Sequence, residues 1–226
     1  MSLLLISPKT ILDGVFAFPP HRHTLGGSSY FILGEILGLS GNLLIDCPAK
    51  EFQPWCHAQG GVQHLLITHR DGADQIPQWQ QAFQCPVHTH QQEAYLYPGL
   101  WVHPFAQTFA VMPGITMIWT PGYSPGSSCV YLERLGGVLF TGRHLLPNPQ
   151  GAISLLSTRK TFHWPRQQRS LRGLKNWLGE RPVGYFCPGA NTGFLRGQGW
   201  ATPDPGTDWY DEIMGRLSPH VPQVRQ

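Results

Sequence analysis

The sequence predicts an α/β layered sandwich, in which two β-sheets are covered by helices. Strand patterns come first as a run, then alternate with helical patterns, and then repeat as hairpins followed by a helix. The chain has 226 residues, enough to bury a substantial core, and 41% of them are hydrophobic. Its 26 glycines and 21 prolines indicate many short elements joined by defined turns.

The predicted strands are short apolar runs bounded by turn residues. They cover residues 15–18, 29–36, 42–45, 62–68, 86–89, 107–112, 115–119, 129–132, 137–140 and 183–186. The Pro113-Gly114 pair and residues 134–136 each separate two of these runs. Hairpins are therefore predicted at both places.

Helices are predicted between and after these strands. Apolar residues at helical spacing predict one over 76–83, and Gly60-Gly61 ends another over 51–59. A third covers 165–178 and carries proline in its first turn, where the missing N–H is tolerated. The domain is expected to span 1–196, and residues 197–226 are expected to wrap its surface as a C-terminal tail with a short helix near 209–217.

Cysteine use and hydropathy indicate a cytoplasmic protein. The apolar run Leu3 to Ile6 is too short for a signal peptide and follows no positive charge. No run of about 18 apolar residues occurs, so no membrane span is expected. The cysteines are odd in number, form no C-x-x-C pair, and are interpreted as reduced, buried thiols: Cys47, Cys56, Cys85, Cys129 and Cys187.

The net charge of +3 is unevenly distributed. Residues 134–179 contain no Asp or Glu but hold eight of the sixteen basic residues, so the rest of the chain is net −5 (eight basic, thirteen acidic). On and before the predicted helix 165–178 this charge forms a basic patch of Arg159, Lys160, Arg166, Arg169, Arg172 and Lys175. Phe162 and Trp164 lie among these residues, a pattern that can bind phosphates or single-stranded nucleic acid. A solvated helix face beside an aromatic cluster is the alternative.

Five segments of the sequence carry motifs. They are LLID at 43–46, LLITHRD at 65–71, TPGYSPGS at 120–127, VLFTGR at 138–143 and, more weakly, FCPGA at 186–190. Together, and in this order, they resemble the metallo-β-lactamase superfamily, whose motifs are a strand ending in an acid, T-H-x-H-x-D-H, T-P-G-H-S-P-G-S, a strand ending in T-G-D, and a P-G-H turn. The resemblance spans roughly residues 12–195 and implies an αββα four-layer sandwich.

That superfamily uses two cations to activate a shared hydroxide, held by imidazoles and carboxylates. His69 matches the first histidine of the family pattern, but most other ligand positions are replaced. Asp71 stands at the second histidine. The replacements at the later positions are Tyr123 for histidine, Arg143 for the bridging aspartate and Ala190 for the last histidine. The resemblance therefore implies a dismantled metal site, with no cofactor expected and zinc or iron expected only if the site is remodelled.

The alignment of residues 73–75 stays open. With one residue deleted, Asp74 matches the motif's aspartate and Gln75 replaces the adjacent histidine. Without the deletion, Ala73 replaces the aspartate and Asp74 the histidine.

Arg143 is the most informative replacement. A guanidinium is always protonated and offers no lone pair, so it repels cations where two of them would be bridged. We expect it to pair with Asp71 or Asp74 and to substitute electrostatically for the metals. The alternative is that Arg143 points to solvent.

Histidines elsewhere form two H-x-H motifs, His21 with His23 and His88 with His90. Alternation places the members of each pair on one side of a strand. They could form a displaced metal site, with His144 as a further ligand, or they could be ordinary surface and loop histidines. Two such motifs are a weak signal without a nearby carboxylate or thiolate.

Three functions from different classes are consistent with these patterns. The leading hypothesis is a non-catalytic binding or structural module, whose cleft suits an anionic small molecule or a protein partner. Its expected lining is His69, Asp71, Asp74, Tyr123, Arg143 and His144. The second is a residual hydrolase of esters, thioesters or phosphoesters, using one metal or none, with His69 or His144 as general base. The third, less favoured, is a nucleic-acid-binding protein that uses the basic helix.

Overall fold

The computed structural model describes residues 7–71 and 73–217. Its first sheet has seven strands in sequential order. They are β1 (Lys9–Leu12), β2 (Val15–His21), β3 (Gly27–Ile32), β4 (Leu43–Ile45), β5 (His64–Leu66), β6 (Val87–His90) and β7 (Val102–Phe105). Strands β1 to β4 pair antiparallel, and β4 to β7 pair parallel.

The second sheet is built from the later strands β8 (Thr108–Met112), β9 (Ile115–Trp119), β10 (Ser128–Leu132), β11 (Val138–Gly142) and β14 (Tyr185–Pro188). Their order is β14-β11-β10-β9-β8, and only the β11–β14 pair is parallel. A small hairpin of β12 (Leu146–Pro147) and β13 (Ile153–Ser154) stands apart.

Three apolar layers explain how the sheets stack. Alternate residues of both sheets, such as Leu66 and Val130, fill the space between them. The outer face of the first sheet packs against the helices α2 (Gln53–Ala58) and α3 (Ile76–Phe83). The outer face of the second packs against α4 (Trp164–Leu178) and α5 (Trp209–Arg216). The αββα sandwich predicted from the sequence is thus confirmed.

One predicted strand is only partly correct. Residues 29–36 read as a continuous strand, but β3 ends at Ile32 and the short helix α1 (Gly34–Leu37) follows. At Gly34 any Cβ would lie 2.3 Å from the carbonyl oxygen of Gly41, so only glycine fits this crossing. Gly38 then ends the helix in the left-handed region, with φ of 64°. Strands β1 and β7 were not predicted, because each is a short edge strand with half its residues exposed.

Part of the C-terminal segment packs against the core of the sandwich. Ala201 bridges Phe186 on β14, and α5 buries Trp209 and Ile213 against the core beside α4. The predicted helix near 209–217 therefore forms, although the boundary at residue 196 stays a prediction. Residues 1–6 and 218–226, which include the apolar run Leu3 to Ile6, lie outside the described residues. No helix within residues 7–71 and 73–217 is long and apolar enough to cross a membrane.

Candidate functional site

The candidate site lies where the carboxyl ends of β4, β5 and β11 meet. Directly after β4, Asp46 adopts a left-handed backbone conformation with φ of 55°, which aspartate tolerates better than most residues. Its two carboxylate oxygens accept hydrogen bonds from the backbone N–H of Thr68, at 2.8 Å, and from the Thr68 hydroxyl, at 2.6 Å. Asp46 therefore fixes the loop that follows β5.

His69, on that loop, is only 3% exposed. Its Nδ1 accepts a hydrogen bond from the backbone N–H of Asp71 at 3.2 Å, and its Nε2 lies 3.8 Å from Asp46 Oδ2. This geometry favours the tautomer with the proton on Nε2, facing the carboxylate. Burial, helped by the Arg143 charge, lowers the pKa of His69 although Asp46 opposes the shift, so the ring is neutral at pH 7.

Asp71 is the carboxylate on which the site converges. The Tyr123 hydroxyl donates a hydrogen bond to its Oδ2. The same oxygen lies 4.0 Å from an Arg143 nitrogen and 3.7 Å from the Lys160 ammonium. Burial raises the pKa of Asp71. The Tyr123 hydrogen bond and the neighbouring charges of Lys160 and Arg143 lower it by more, so the net pKa is below its usual value.

Arg143 faces this carboxylate rather than solvent, as the pairing hypothesis expects. Its side chain is 10% exposed and donates to the backbone carbonyls of Thr24 at 3.0 Å and Leu25 at 3.3 Å. The guanidinium carbon lies 5.8 Å from the centre of the Tyr123 ring. Arg143 therefore connects the end of β11 to the turn between β2 and β3. We call Asp46, His69, Asp71, Tyr123, Arg143 and Lys160 the strand-end cluster.

Two residues expected in the cleft are placed elsewhere. Asp74 lies exposed on a 3₁₀ turn, where Gln75 Nε2 donates to it at 3.2 Å. His144 is fully buried, its backbone carbonyl accepts from Gln167 of α4, and neither ring nitrogen has a hydrogen-bond partner within the described part of the chain. Burial lowers the pKa of His144 to about 3. Sequence could not reveal this, because adjacent residues after a strand can face opposite sides.

Sequence reasoning also missed two members of this region. Lys160 was assigned to the basic patch, and only the folded loop carries it to Asp71. Glu93 belongs to no motif, yet it is 1% exposed and its Oε1 accepts from the backbone N–H of Gly126 at 3.1 Å. Burial raises the pKa of Glu93, and a Cβ on Gly126 would approach the carboxyl carbon to 2.8 Å. Any side chain at Gly126 would therefore force the Glu93 carboxyl to shift.

The residues of the predicted basic patch lie in three different environments. Arg166 lies over the Trp119 ring at 4.9 Å, and Lys175 pairs with Asp208 while lying 5.5 Å from the Trp209 ring. Lys160 belongs to the strand-end cluster. Three exposed arginines remain without an ion-pair partner among residues 7–71 and 73–217: Arg159, Arg169 and Arg172.

Among the described residues, His88, His90 and His144 do not form the displaced metal site that the H-x-H motifs could have made. His88 contacts His64 instead, and His90 stacks on Trp119 with ring centres 4.5 Å apart and planes 3° apart. The alternation was correctly anticipated, but cross-strand neighbours decide what each ring meets. For the other motif, the side chain of His23 lies outside the described residues.

Comparisons with solved structures agree with the architecture. BLEG-1 B3 metallo-β-lactamase matches with a TM-score of 0.60 and 18% identity, covering 78% of this chain and 91% of that one. An archaeal metallo-β-lactamase superfamily protein from Sulfolobus tokodaii matches with a TM-score of 0.60 and 16% identity, covering 95% of this chain and 90% of that one. The protein TTHA1623 in its di-iron-bound form matches with a TM-score of 0.60 and 21% identity, over 82% and 94%.

This chain has the metallo-β-lactamase fold. No protein-family model and no curated protein sequence matches it.

The fold family implies a metal centre, but the residues of this chain do not fit one. The Nδ1 lone pair of His69 accepts a backbone hydrogen bond, and Asp71 accepts from Tyr123. The Arg143 guanidinium adds a fixed positive charge 4.0 Å from the Asp71 carboxylate. Within the described ranges, no group of three or more His, Cys, Asp or Glu side chains is arranged to hold a metal ion.

The space enclosed beside the cluster is small. A cavity of about 10 Å³ lies among residues that include Thr24, Ser29, Asp46, His69 and Asp71. That volume admits one water molecule at most. A ligand at this edge of the sandwich would therefore contact the outer rim of the strand-end cluster.

Proposed function

We propose that this chain is a non-catalytic binding module, which holds an anionic group at the rim of the strand-end cluster. The observation that carries the proposal is that two cations, Arg143 and Lys160, face the single carboxylate of Asp71. Arg143 would replace the metals in holding the strand-end loops together. Lys160 would supply the charge that attracts a ligand.

The charge balance at the rim supports this assignment. Burial lowers the pKa of His69 and raises that of Tyr123, so both side chains are neutral at pH 7. The outer part of the cluster then holds one negative and two positive charges. The Lys160 side chain is 49% exposed, so its ammonium can turn from Asp71 toward a ligand at little cost. A phosphate or carboxylate group is the matching ligand chemistry.

A residual hydrolase, the runner-up, has less support. A general base needs a free lone pair within reach of the proton that it accepts. In His69 that lone pair is taken by the backbone N–H of Asp71 at 3.2 Å. His144 is fully buried behind the end of β11. A hydrolase would therefore require the loop carrying His69 to rearrange.

Nucleic-acid binding has one supporting observation: Arg159, Arg169 and Arg172 are exposed and have no ion-pair partner among residues 7–71 and 73–217. Three arginines give a weaker electrostatic footprint than the six-residue patch expected from the sequence. Affinity that falls steeply with salt, with a slope reduced by nearly two when Arg169 and Arg172 are both replaced, would favour this function over the binding of a small anion.

Titration with inorganic phosphate at low ionic strength tests the proposal. Lys160→Ala should weaken phosphate binding by about tenfold, since it removes the mobile cation next to Asp71. Arg159→Ala is the matched control, because it removes the same charge from the neighbouring exposed position without a partner in the cluster. Equal losses in both variants, or no saturable binding, would contradict the proposal. Ester turnover that disappears in His69→Ala would favour the hydrolase.

A further inference from the structure

A large cavity lies at the edge of the second sheet, apart from the strand-end cluster. Its volume is about 700 Å³, and it is enclosed by β14, the β12–β13 hairpin, the loop 194–204 and α5. We call it the edge cavity. None of its lining residues belongs to the strand-end cluster, so the two regions are separate. Sites for small organic molecules typically occupy roughly 300–1,000 Å³, so this space suits a small molecule rather than a folded partner.

Aromatic rings form the apolar walls of the edge cavity. Trp209 of α5 lies edge-on to Phe186 of β14, with ring centres 5.8 Å apart. Trp200 lies edge-on to Tyr185 at 5.2 Å. The Trp200 indole N–H also donates to the backbone carbonyl of Ile11 at 3.0 Å. Because these contacts hold both indole rings in place, the walls are already formed before a ligand binds.

A short turn adds a third ring and a cation to the edge cavity. Phe194, on the 3₁₀ turn Thr192–Leu195, lines the cavity and is 43% exposed. The turn is bounded by two non-glycine residues in the left-handed region, Asn191 with φ of 57° and Arg196 with φ of 50°. This conformation is unfavourable for residues with a side chain. It brings both Phe194 and Arg196 to the same cavity, where the exposed ring offers apolar area that a ligand can cover.

The charged residues of the lining leave one cation available to a ligand. The Arg216 guanidinium lies 3.3 Å from the Glu212 carboxylate and 3.9 Å from that of Asp204. Arg216 also donates to the backbone carbonyl of Ile153 at 2.9 Å, and Glu212 accepts from the backbone N–H of Asp204 at 2.9 Å. These three charges are therefore committed to one another. Arg196 is exposed, and its guanidinium has no hydrogen-bond or ion-pair partner in the described part of the chain.

We propose that the edge cavity binds a small aromatic anion, such as an aromatic carboxylate. The ring of the ligand lies against Phe194, Trp200 and Trp209, where buried apolar area and edge contacts between rings stabilise it. Its carboxylate accepts hydrogen bonds from Arg196, because the planar guanidinium matches two carboxylate oxygens. Arg216 balances the charge of the acids on the opposite wall, so they repel the carboxylate little.

Isothermal titration of the full chain with 2-naphthoate tests the proposal, and 2-naphthalenemethanol is a neutral analogue with the same rings. We expect one equivalent of naphthoate to bind, and the alcohol to bind about tenfold more weakly because it lacks the charge-assisted hydrogen bonds. Arg196→Gln should weaken naphthoate binding by about tenfold and leave that of the alcohol unchanged. Phe194→Ala should weaken the binding of both ligands by about fivefold, since both bury the same rings. Both substituted residues are exposed, so the variants should fold.

Arg159→Gln is the matched control, because it removes an exposed arginine that does not line the edge cavity, and it should leave naphthoate binding unchanged. No saturable binding of naphthoate, or equal affinity in the wild type and Arg196→Gln, overturns the proposal. Binding that is lost in Lys160→Ala but kept in Arg196→Gln would locate the aromatic anion at the strand-end cluster and would also overturn it. The proposed function depends on Lys160 and phosphate, so either proposal can fail without the other.

Discussion

Two regions of the molecule bury polar side chains in opposite ways. The strand-end cluster retains its charges and pairs them, since Asp71 accepts from Tyr123 and faces Arg143 and Lys160. The interior imidazoles, His88 and His144, are neutral at pH 7 because burial lowers their pKa values to about 4 and about 3. A buried side chain stays ionised only beside an opposite charge or a hydrogen-bond partner. A buried titratable group without such a partner takes its neutral form. The protein thus carries charge where a ligand can reach it and neutral rings where none can.

Neutral imidazoles and paired carboxylates also lose their contributions to stability in different pH ranges. Histidines with lowered pKa values bind fewer protons when folded than when unfolded, so their contribution to stability falls as the pH drops below about 6.5. Asp71 also has a lowered pKa, but its contribution is complete above the unfolded value of about 3.9 and is lost only as the pH falls through the folded pKa. Acid should therefore act first on the buried imidazoles, including His69 of the cluster, and only afterwards on the ion pairs of Asp71.

Arg143→Ala should have the largest effect. It leaves two backbone carbonyls without their donor and removes a buried cation beside Asp71, so we expect a loss of about 3 kcal/mol in unfolding free energy. Thermal denaturation should show a decrease of roughly 6–12 °C. Arg159→Ala, an exposed control, should stay within about 0.5 kcal/mol of the wild type. Equal stability of both variants would mean that the cluster is not a buried charge pair.

His144→Leu should change the pH dependence more than the stability at pH 7. The substitution removes one imidazole that stays neutral when buried, so the slope of unfolding free energy against pH should fall by about 1.4 kcal/mol per pH unit between pH 6 and 4. Denaturant titrations at several pH values measure this slope. An unchanged slope would show that His144 becomes protonated in the folded protein.

Tyr123→Phe should weaken the cluster by about 1–2 kcal/mol, because it removes the hydroxyl that donates to Asp71 while keeping the ring beside Arg143. The pKa of the Asp71 carboxyl should rise, which can be followed by NMR of its carboxyl carbon. The acid-induced loss of stability from Asp71 should then be smaller and should end at higher pH, because it ends at the folded pKa of this carboxyl. A carboxyl that titrates as in the wild type would mean that Lys160 and Arg143 alone hold it ionised.

Replacing Arg169 and Arg172 together should have the smallest effect. Both are exposed on α4 without an ion-pair partner in the described chain, so unfolding free energy should change by less than about 0.5 kcal/mol. Chemical denaturation measures the difference. A larger loss of unfolding free energy would mean that these arginines make stabilising contacts. They would then no longer differ from the paired charges of the strand-end cluster.

The fold was predictable because motif order and apolar patterning both describe the backbone. The grouping of His69, Asp71, Tyr123 and Arg143 was implied by the resemblance of their motifs to those of the metallo-β-lactamase superfamily. What each side chain contacts was not predictable. Lys160 reaches Asp71 although 89 residues separate them in the sequence (160 − 71). His88 contacts His64 on the neighbouring strand, two residues away from its register partner Leu66. Sequence periodicity assigns a face to a residue but not the neighbour that it meets there.

The Arg143 guanidinium also limits how a dinuclear metal centre could be built into the strand-end cluster by substitution. Arg143→Asp alone would add a carboxylate beside Asp71, and Thr24 and Leu25 would lose their donor. With Lys160 as the one cation left in the cluster, the two close carboxylates would repel each other and the fold would lose stability. Histidines would also be needed at the positions of Tyr123 and Ala190 before a metal could stabilise the new charge. Each single substitution toward a dinuclear centre would therefore be unfavourable by itself.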